Sequence, residues 1–259
     1  MSIVQEAASR LLEAEETKNV IEPLTVSYPG ITVDEAYYTQ LELIRRKVDN
    51  GGIIVGKKIG ATSKAIQNMF GVNQPDYGHL LADMMYVEGE TIPLDHFIQP
   101  KVEFEIAFIL KKDLKGPHVS ILDVVEATDY IVPAIEVIDS RIADWKIKFE
   151  DTVADNGSSA AAMIGGKPTK LEGIDLKHIG MVAYRNGEMI DSGAGAAVLG
   201  SPLRSVAWLA NSLGKYDVAL KAGEIVLSGA LTSAIEVKDG DTYRAEFAHI
   251  GSVTATFKR

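Results

Sequence analysis

Three acidic residues stand where acids are least expected. Glu103 and Glu105 lie in Pro100 to Leu110, PKVEFEIAFIL, and Glu136 lies in Ile131 to Ile138, IVPAIEVI. In the first run Val102, Phe104, Ile106 and Phe108 alternate with Glu103, Glu105 and Ala107, the period of a β-strand. The two glutamates then share a face, roughly 7 Å apart along the backbone. Apolar neighbours make that face a costly place for two like charges. A divalent cation held between them would offset both the repulsion and the burial. Glu136, alone in an almost wholly apolar run, suits a third ligand. A Glu-x-Glu strand is also the ordinary pattern of a sheet with one wet face, so spacing alone leaves both readings open.

The elements that must position these acids read as follows. Ile3 to Glu16 has the apolar spacing of an amphipathic helix, with Ala7, Leu11, Leu12 and Ala14 on or near one side. A loop with Pro23, Pro29 and Gly30 follows. Thr32-Val33-Asp34-Glu35 fits a capping box and opens a second helix to Val48, which Asn50-Gly51-Gly52 ends. Ile53 to Ile59 reads as a strand broken by Gly60, and Thr62 or Ser63 caps a short helix, Lys64 to Phe70. Gln74-Pro75-Asp76-Tyr77-Gly78 reads as a turn-rich loop, and Met84 to Val87 as a short strand. A helix over Ile121 to Ala127 leads to the Glu136 strand, Tyr130 to Ile138. Asp139 to Ser159 has little regular pattern and many polar groups, the character of a loop where site residues gather. Asn186-Gly187 marks a tight hairpin turn, Pro202 to Leu213 a helix, and Ile225 to Ser228, Tyr243 to Phe247 and Val253 to Phe257 strands. The simplest division is an N-terminal helical cap, residues 1–51, on one β-rich catalytic domain, residues 52–259.

Composition narrows the function. The 259 residues are 46% hydrophobic and 24% charged, ordinary for a globular chain. The formal net charge, 26 − 36 = −10, argues against nucleic acid or an anionic membrane surface as a partner. There is no cysteine, and the five histidines are scattered away from metal-ligand spacing. The acidic N-terminus lacks the order of a signal peptide, no apolar run reaches the length of a membrane span, and a cytoplasmic location is expected.

Several segments fit one pattern together: Gly56-Lys57-Lys58-Ile59-Gly60 with Ala61-Thr62-Ser63; Gln74-Pro75-Asp76-Tyr77-Gly78; Glu103-x-Glu105; Glu136-Val137-Ile138-Asp139-Ser140-Arg141; and Asp151-Thr152-Val153-Ala154-Asp155-Asn156-Gly157-Ser158. From the helix near Ala36 to Phe257, their order and spacing resemble the 2-hydroxypenta-2,4-dienoate hydratases and 4-oxalocrotonate decarboxylases of the fumarylacetoacetate hydrolase superfamily. The resemblance implies an α+β fold, a mixed β-roll. It implies a Mg²⁺ or Mn²⁺ ion held by Glu103, Glu105 and Glu136, the trio that burial and strand phase had already set apart. It also implies a site lysine at Lys58, a site acid at Asp76 and a small polar substrate contact at Ser158. Arg141 is a weaker substrate-binding candidate, since it and Asp155 could simply pair and order the loop. Lys57, on the opposite strand face from Lys58, is expected to be a solvated surface amine.

The implied reaction is hydration of 2-hydroxypenta-2,4-dienoate to 4-hydroxy-2-oxopentanoate in meta-cleavage degradation of aromatic compounds. The alternative is decarboxylation of 2-oxohex-3-enedioate (4-oxalocrotonate) in the same pathway. Thr62 to Met69 and Asp144-Trp145-Lys146-Ile147-Lys148 look more like the hydratase branch. A hydrolase of the wider superfamily would need a His/Glu pair that no histidine here provides in a comparable motif. The same resemblance implies a small 2-oxo or 2-hydroxydienoic acid as substrate, a homo-oligomer, and possible pairing with a decarboxylase or hydratase of the pathway.

Overall fold

In the computed structural model, which describes residues 2–259, two sheets share a core with helices packed around them. The chain opens with α1 (Ile3–Thr17), α2 (Leu24–Ser27) and α3 (Val33–Asp49). Capping boxes at Ser2/Gln5 and Thr32/Glu35 start α1 and α3, each satisfying amides that the first helical turn leaves free. Next come β1 (Ile54–Gly60), α4 (Lys64–Phe70), β2 (Asp76–Leu81), β3 (Met85–Val87), β4 (Thr91–Pro93) and β5 (Lys101–Leu110). Then follow α5 (Ile121–Ala127), β6 (Thr128–Ile138), α6 (Phe149–Ala154) and β7 (Ser159–Ile164). The last third holds the hairpin β8 (Gly180–Arg185) and β9 (Glu188–Ala194), α7 (Pro202–Gly214), β10 (Ile225–Leu227), β11 (Ile235–Glu236), β12 (Thr242–Phe247) and β13 (Gly251–Lys258).

The larger sheet runs β2-β1-β10-β5-β6-β7-β3, with β11 added beside β5, and the smaller runs β4-β13-β12-β8-β9. The larger sheet curls, so that β2 comes back against β7 although four strands lie between them. Its two faces bury different things. One face turns Phe104, Ile106, Phe108 and Val226 into the main core. Each such side chain contributes about 1.5–3 kcal/mol by leaving water. The other face, inside the curl, carries small or medium residues: Leu80, Ala107, Val132, Ala134, Ala162 and Leu227. The alanines leave the room that Glu103, Glu105 and Glu136 occupy on the same face. The helical N-terminus is bound in closely: α1 packs on α3, and α3 packs on α6. No described helix is long and apolar enough to cross a membrane.

Most elements fall where the sequence pattern puts them, α4 and α5 to the residue. Three differ. The Gln74 to Gly78 turn is short-lived: Asp76 already begins β2, paired with Gly60 of β1. All six β2 residues are buried, so the strand shows no polar alternation to read. The stretch from Asp139 to Ser159 is ordered by α6 and by single turns at Ala143–Trp145 and Asn156–Ser158. Lys57 is not a solvated amine. It is 2% exposed, and its Nζ lies 2.7 Å from both carboxylate oxygens of Glu224. Its face of β1 is covered by the main core, and the ion pair compensates a charge that burial would otherwise penalise.

Candidate active site

The antiparallel register of β5 and β6 sets Glu103 directly opposite Glu136, with Glu105 two residues along β5 on the same face. One oxygen from each carboxylate lies within 4.8 Å of the others. Glu105 and Glu136 are wholly buried and Glu103 is half-buried. Two of the carboxylates are oriented by hydrogen bonds. The Gly229 amide donates to Glu105 Oε2 at 2.7 Å, and Ser159 Oγ donates to Glu136 Oε1 at 2.8 Å. The remaining oxygens, Glu105 Oε1 and Glu136 Oε2, are buried without a hydrogen-bond partner. Burial pushes all three carboxyls above their ordinary range; repulsion within the trio adds to this for Glu103 and Glu105, and Lys58 opposes it. Oxygens converging from three acids, two of them buried without a hydrogen-bond partner, fit a hard divalent cation such as Mg²⁺ or Mn²⁺, which takes oxygen ligands and completes its shell with water or substrate.

Lys58 comes from β1, one residue along from Lys57 and on the inner face. It is 2% exposed, and its Nζ stands 3.4 Å from Glu136 Oε2. Burial alone would lower its pKa, but Glu136, Asp76, Glu103 and Glu105 together raise it, so it stays an ammonium. Asp76 reaches the same space from β2. A Cβ built on Gly60 would stand 2.2 Å from Asp76 Oδ1 and 3.1 Å from Lys58 Nζ. The missing side chain of Gly60 therefore leaves a space that the acid and the ammonium both border. Asp76 Oδ1 is buried without a partner, while Oδ2 accepts a long bond from Thr152 Oγ1 at 3.4 Å. Burial pushes Asp76 up and Lys58 pulls it back.

Ser158 joins this group through Thr152: the two hydroxyl oxygens are 3.2 Å apart. Asn156, Gly157 and Ser158 all take left-handed φ, at +55°, +58° and +57°. Such a run is costly for ordinary residues and persists only where its surroundings enforce it. Here Gly78 makes room, since a Cβ there would stand 2.2 Å from the Asn156 carbonyl oxygen. Arg141 is buried but turned to the loop. Its guanidinium is paired with the Asp155 carboxylate and donates to the Asp155 carbonyl at 2.6 Å.

Glu103, Glu105, Glu136, Lys58 and Asp76 thus meet inside the curl, and Ser158 is linked to them through Thr152. If all ionised, the four acids and one lysine would sum to 1 − 4 = −3, a strongly cation-attracting site. Thr152, Ser159 and the Gly229 amide are further members that the sequence did not single out. Thr152 and Ser159 lie in the polar stretch after Glu136, but nothing local marks a hydroxyl as facing inward. Gly229 meets Glu105 only through the β10–β5 pairing. Two surface cavities, of 720 and 670 Å³, are lined by other residues, and neither includes a member of the acidic trio. The second contains Lys101, whose Nζ stands 4.4 Å over the Trp145 ring.

Comparison with known proteins shows the family and the fold. The family described as Fumarylacetoacetate (FAA) hydrolase C-terminal matches residues 57–258. A 2-keto-4-pentenoate hydratase of Paraburkholderia xenovorans is 44% identical over 254 residues, 98% of this chain and 94% of the relative. A 2-oxo-hept-4-ene-1,7-dioate hydratase of Escherichia coli is 42% identical over 256 residues, 96% of each. Among solved structures, 4-oxalocrotonate decarboxylase from Pseudomonas putida G7, complexed with magnesium and adipate, superposes with a TM-score of 0.95. It is 40% identical, with 98% of this chain and 97% of that chain covered.

Proposed function

The chain belongs to the fumarylacetoacetate hydrolase family, and from that premise we propose that it is a hydro-lyase adding water to 2-hydroxypenta-2,4-dienoate to give 4-hydroxy-2-oxopentanoate. Relatives named as hydratases for this class of substrate support the reading. Glu103, Glu105 and Glu136 would hold the metal, Mg²⁺ or Mn²⁺. When bound, that ion supplies positive charge for the carboxylate and the adjacent 2-oxygen of the substrate.

The chain's own groups then carry protons. The reaction needs the enol proton to leave the 2-oxygen and a proton to arrive at C5, giving the conjugated 2-oxopent-3-enoate. Water must next lose a proton as its oxygen bonds to C4, and a proton is added at C3. Asp76, with one buried oxygen free of any partner, is placed to accept a proton. Lys58, kept charged by the acids around it, is placed to hold developing negative charge and to return a proton. Thr152 and Ser158 orient the Asp76 side of the site through hydroxyl contacts. Arg141, committed to Asp155, acts by ordering the loop that carries Ser158.

The observation that carries the hydratase reading is the allocation of buried cations. Among the described residues, three lysines and arginines are buried: Lys57, Lys58 and Arg141. Lys57 is locked to Glu224 and Arg141 to Asp155, leaving Lys58 alone at the site. A monoacid ending in a small vinyl group needs no second cation, whereas a diacid does. Decarboxylation of 2-oxohex-3-enedioate is the second reading. It is favoured by Lys101, which lies on the Glu103 side of β5 and could meet a distal carboxylate at the Trp145 edge.

The test is a paired assay of the two substrates, with Mg²⁺ and after chelation, with products identified by mass. We expect hydration of the dienoate, no CO₂ from the enedioate, and loss of activity on chelation. Release of CO₂ from the enedioate would make the protein the decarboxylase. We also infer a homo-oligomer, supported by the exposed apolar residues Ile121, Leu122 and Val125 on α5 (37%, 79% and 41% exposed). Light scattering at the mass of a single 28.0 kDa chain would refute this.

A further inference from the structure

Asp76 lies on an edge strand. β2 ends the larger sheet, and its one ladder partner is β1. The backbone groups of alternate residues on its far side have no strand to meet, and an unpaired edge frays or seeks another chain. Two buried side-chain amides take up that role. Gln40 of α3, 0% exposed, donates through Nε2 to the Tyr77 carbonyl at 2.8 Å and to the Val153 carbonyl of α6 at 2.7 Å. Asn156 accepts from the His79 amide through Oδ1 at 2.7 Å and donates to the His79 carbonyl through Nδ2 at 2.9 Å. The second pair reproduces the two-bond exchange between opposed residues in an antiparallel ladder. Tyr77 and His79 are two residues apart, so both amides serve the same edge. Tyr77 is also stacked on Tyr37 of α3, with ring centroids 4.3 Å apart.

We propose that Gln40 and Asn156 are positioning residues for Asp76: together they stand in for a missing neighbouring strand and fix the phase of β2 over Gly60. The proposal rests on the reading of Asp76 as a proton-transfer group. Gln40 bridges the backbones that carry Asp76 and Thr152, the two partners of the 3.4 Å contact. Asn156 starts the left-handed turn that ends at Ser158, and asparagine is a residue type that tolerates that conformation. The helical N-terminus is thereby part of the site's geometry without touching substrate.

The test uses the full-length, metal-loaded enzyme. Asn156→Asp keeps the acceptor and the backbone preference but sets a lone pair against the His79 carbonyl. Asn156→Gly keeps the turn and removes the amide. Gln40→Met removes both donors, and Gln40→Glu, close to isosteric, serves if Gln40→Met fails to fold. Expected is a loss in kcat of at least about tenfold with KM within about twofold. Calorimetric Mn²⁺ binding should not change, because the glutamates lie on other strands. The losses should vanish when each substitution is placed in an Asp76→Asn background and single-turnover rates are compared. Equal losses in both backgrounds, or no loss at all, would overturn the proposal. Failure of the wild-type enzyme to hydrate the dienoate would instead sink the assigned reaction. In that case a crystal structure of the Asn156→Asp variant decides. A lost Asp76–Thr152 contact supports positioning, and an unchanged one refutes it.

Discussion

Replacing Gly60 by alanine adds one methyl group and tests the site at its tightest point. The new Cβ would stand 2.2 Å from Asp76 Oδ1, where ordinary contact begins at 3.4 Å, so about 3.4 − 2.2 = 1.2 Å of movement is required. Gly60 is outside the left-handed region, so alanine adds no backbone strain. The clashing atom is the end of a side chain, which can swing away. Overpacking of this kind costs about 1–3 kcal/mol, and the clashing oxygen, which has no hydrogen bond to lose, should keep the loss at the low end. Activity should suffer far more, because misplacing a reacting group by about 1 Å can cost about 100-fold. The assay measures initial rates of dienoate hydration alongside Mg²⁺ affinity and melting temperature. A kcat lowered by about 100-fold, with metal affinity and melting temperature close to wild type, is the expected pattern. Wild-type kcat in a folded Gly60→Ala protein would refute the idea that this gap sets the position of the Asp76 carboxylate beside Lys58. Gly78→Ala provides the contrast. Its methyl would meet a backbone carbonyl, Asn156 O, also at 2.2 Å, and this variant should lose stability as well as rate.

Two further outcomes follow from groups outside the proposed chemistry. Glu224→Ala would leave the Lys57 ammonium buried and unpaired. Stability in urea should fall by about 3–5 kcal/mol while kcat per folded enzyme is kept, and an unchanged midpoint would show that the pair contributes nothing. His79 is buried beside Lys57, and burial first, then the lysine charge, holds its pKa down at about 3 against an ordinary 6.5. Between those values the unfolded chain binds a proton that the folded chain does not. Stability from this group is therefore full above pH 6.5 and falls as pH drops toward 3, by up to about 1.4 kcal/mol per pH unit. Denaturation midpoints measured from pH 7 to 4 should fall less steeply for His79→Gln than for wild type, and equal slopes would count against this account.

Local pattern alone determined a good deal. Strand period in Lys101 to Leu110 placed Glu103 and Glu105 on one face, and the apolar run around Glu136 marked it as a misfit. Capping residues set the starts of α3 and α4 because those signals act within four residues. The order of the motifs pointed to the family. Tertiary structure decided what depends on distant neighbours. Lys57 and Lys58 are adjacent and chemically alike, yet one is bound to Glu224, 167 residues away, and the other faces the acids across the sheet. Asp76 looked like a turn residue because β2 is buried throughout and carries no alternation. The space over Gly60, the Gly229 amide on Glu105 and the amides of Gln40 and Asn156 along β2 arise only once the sheet curls. Each joins residues whose separation along the chain leaves no periodic trace, so only packing could bring them together.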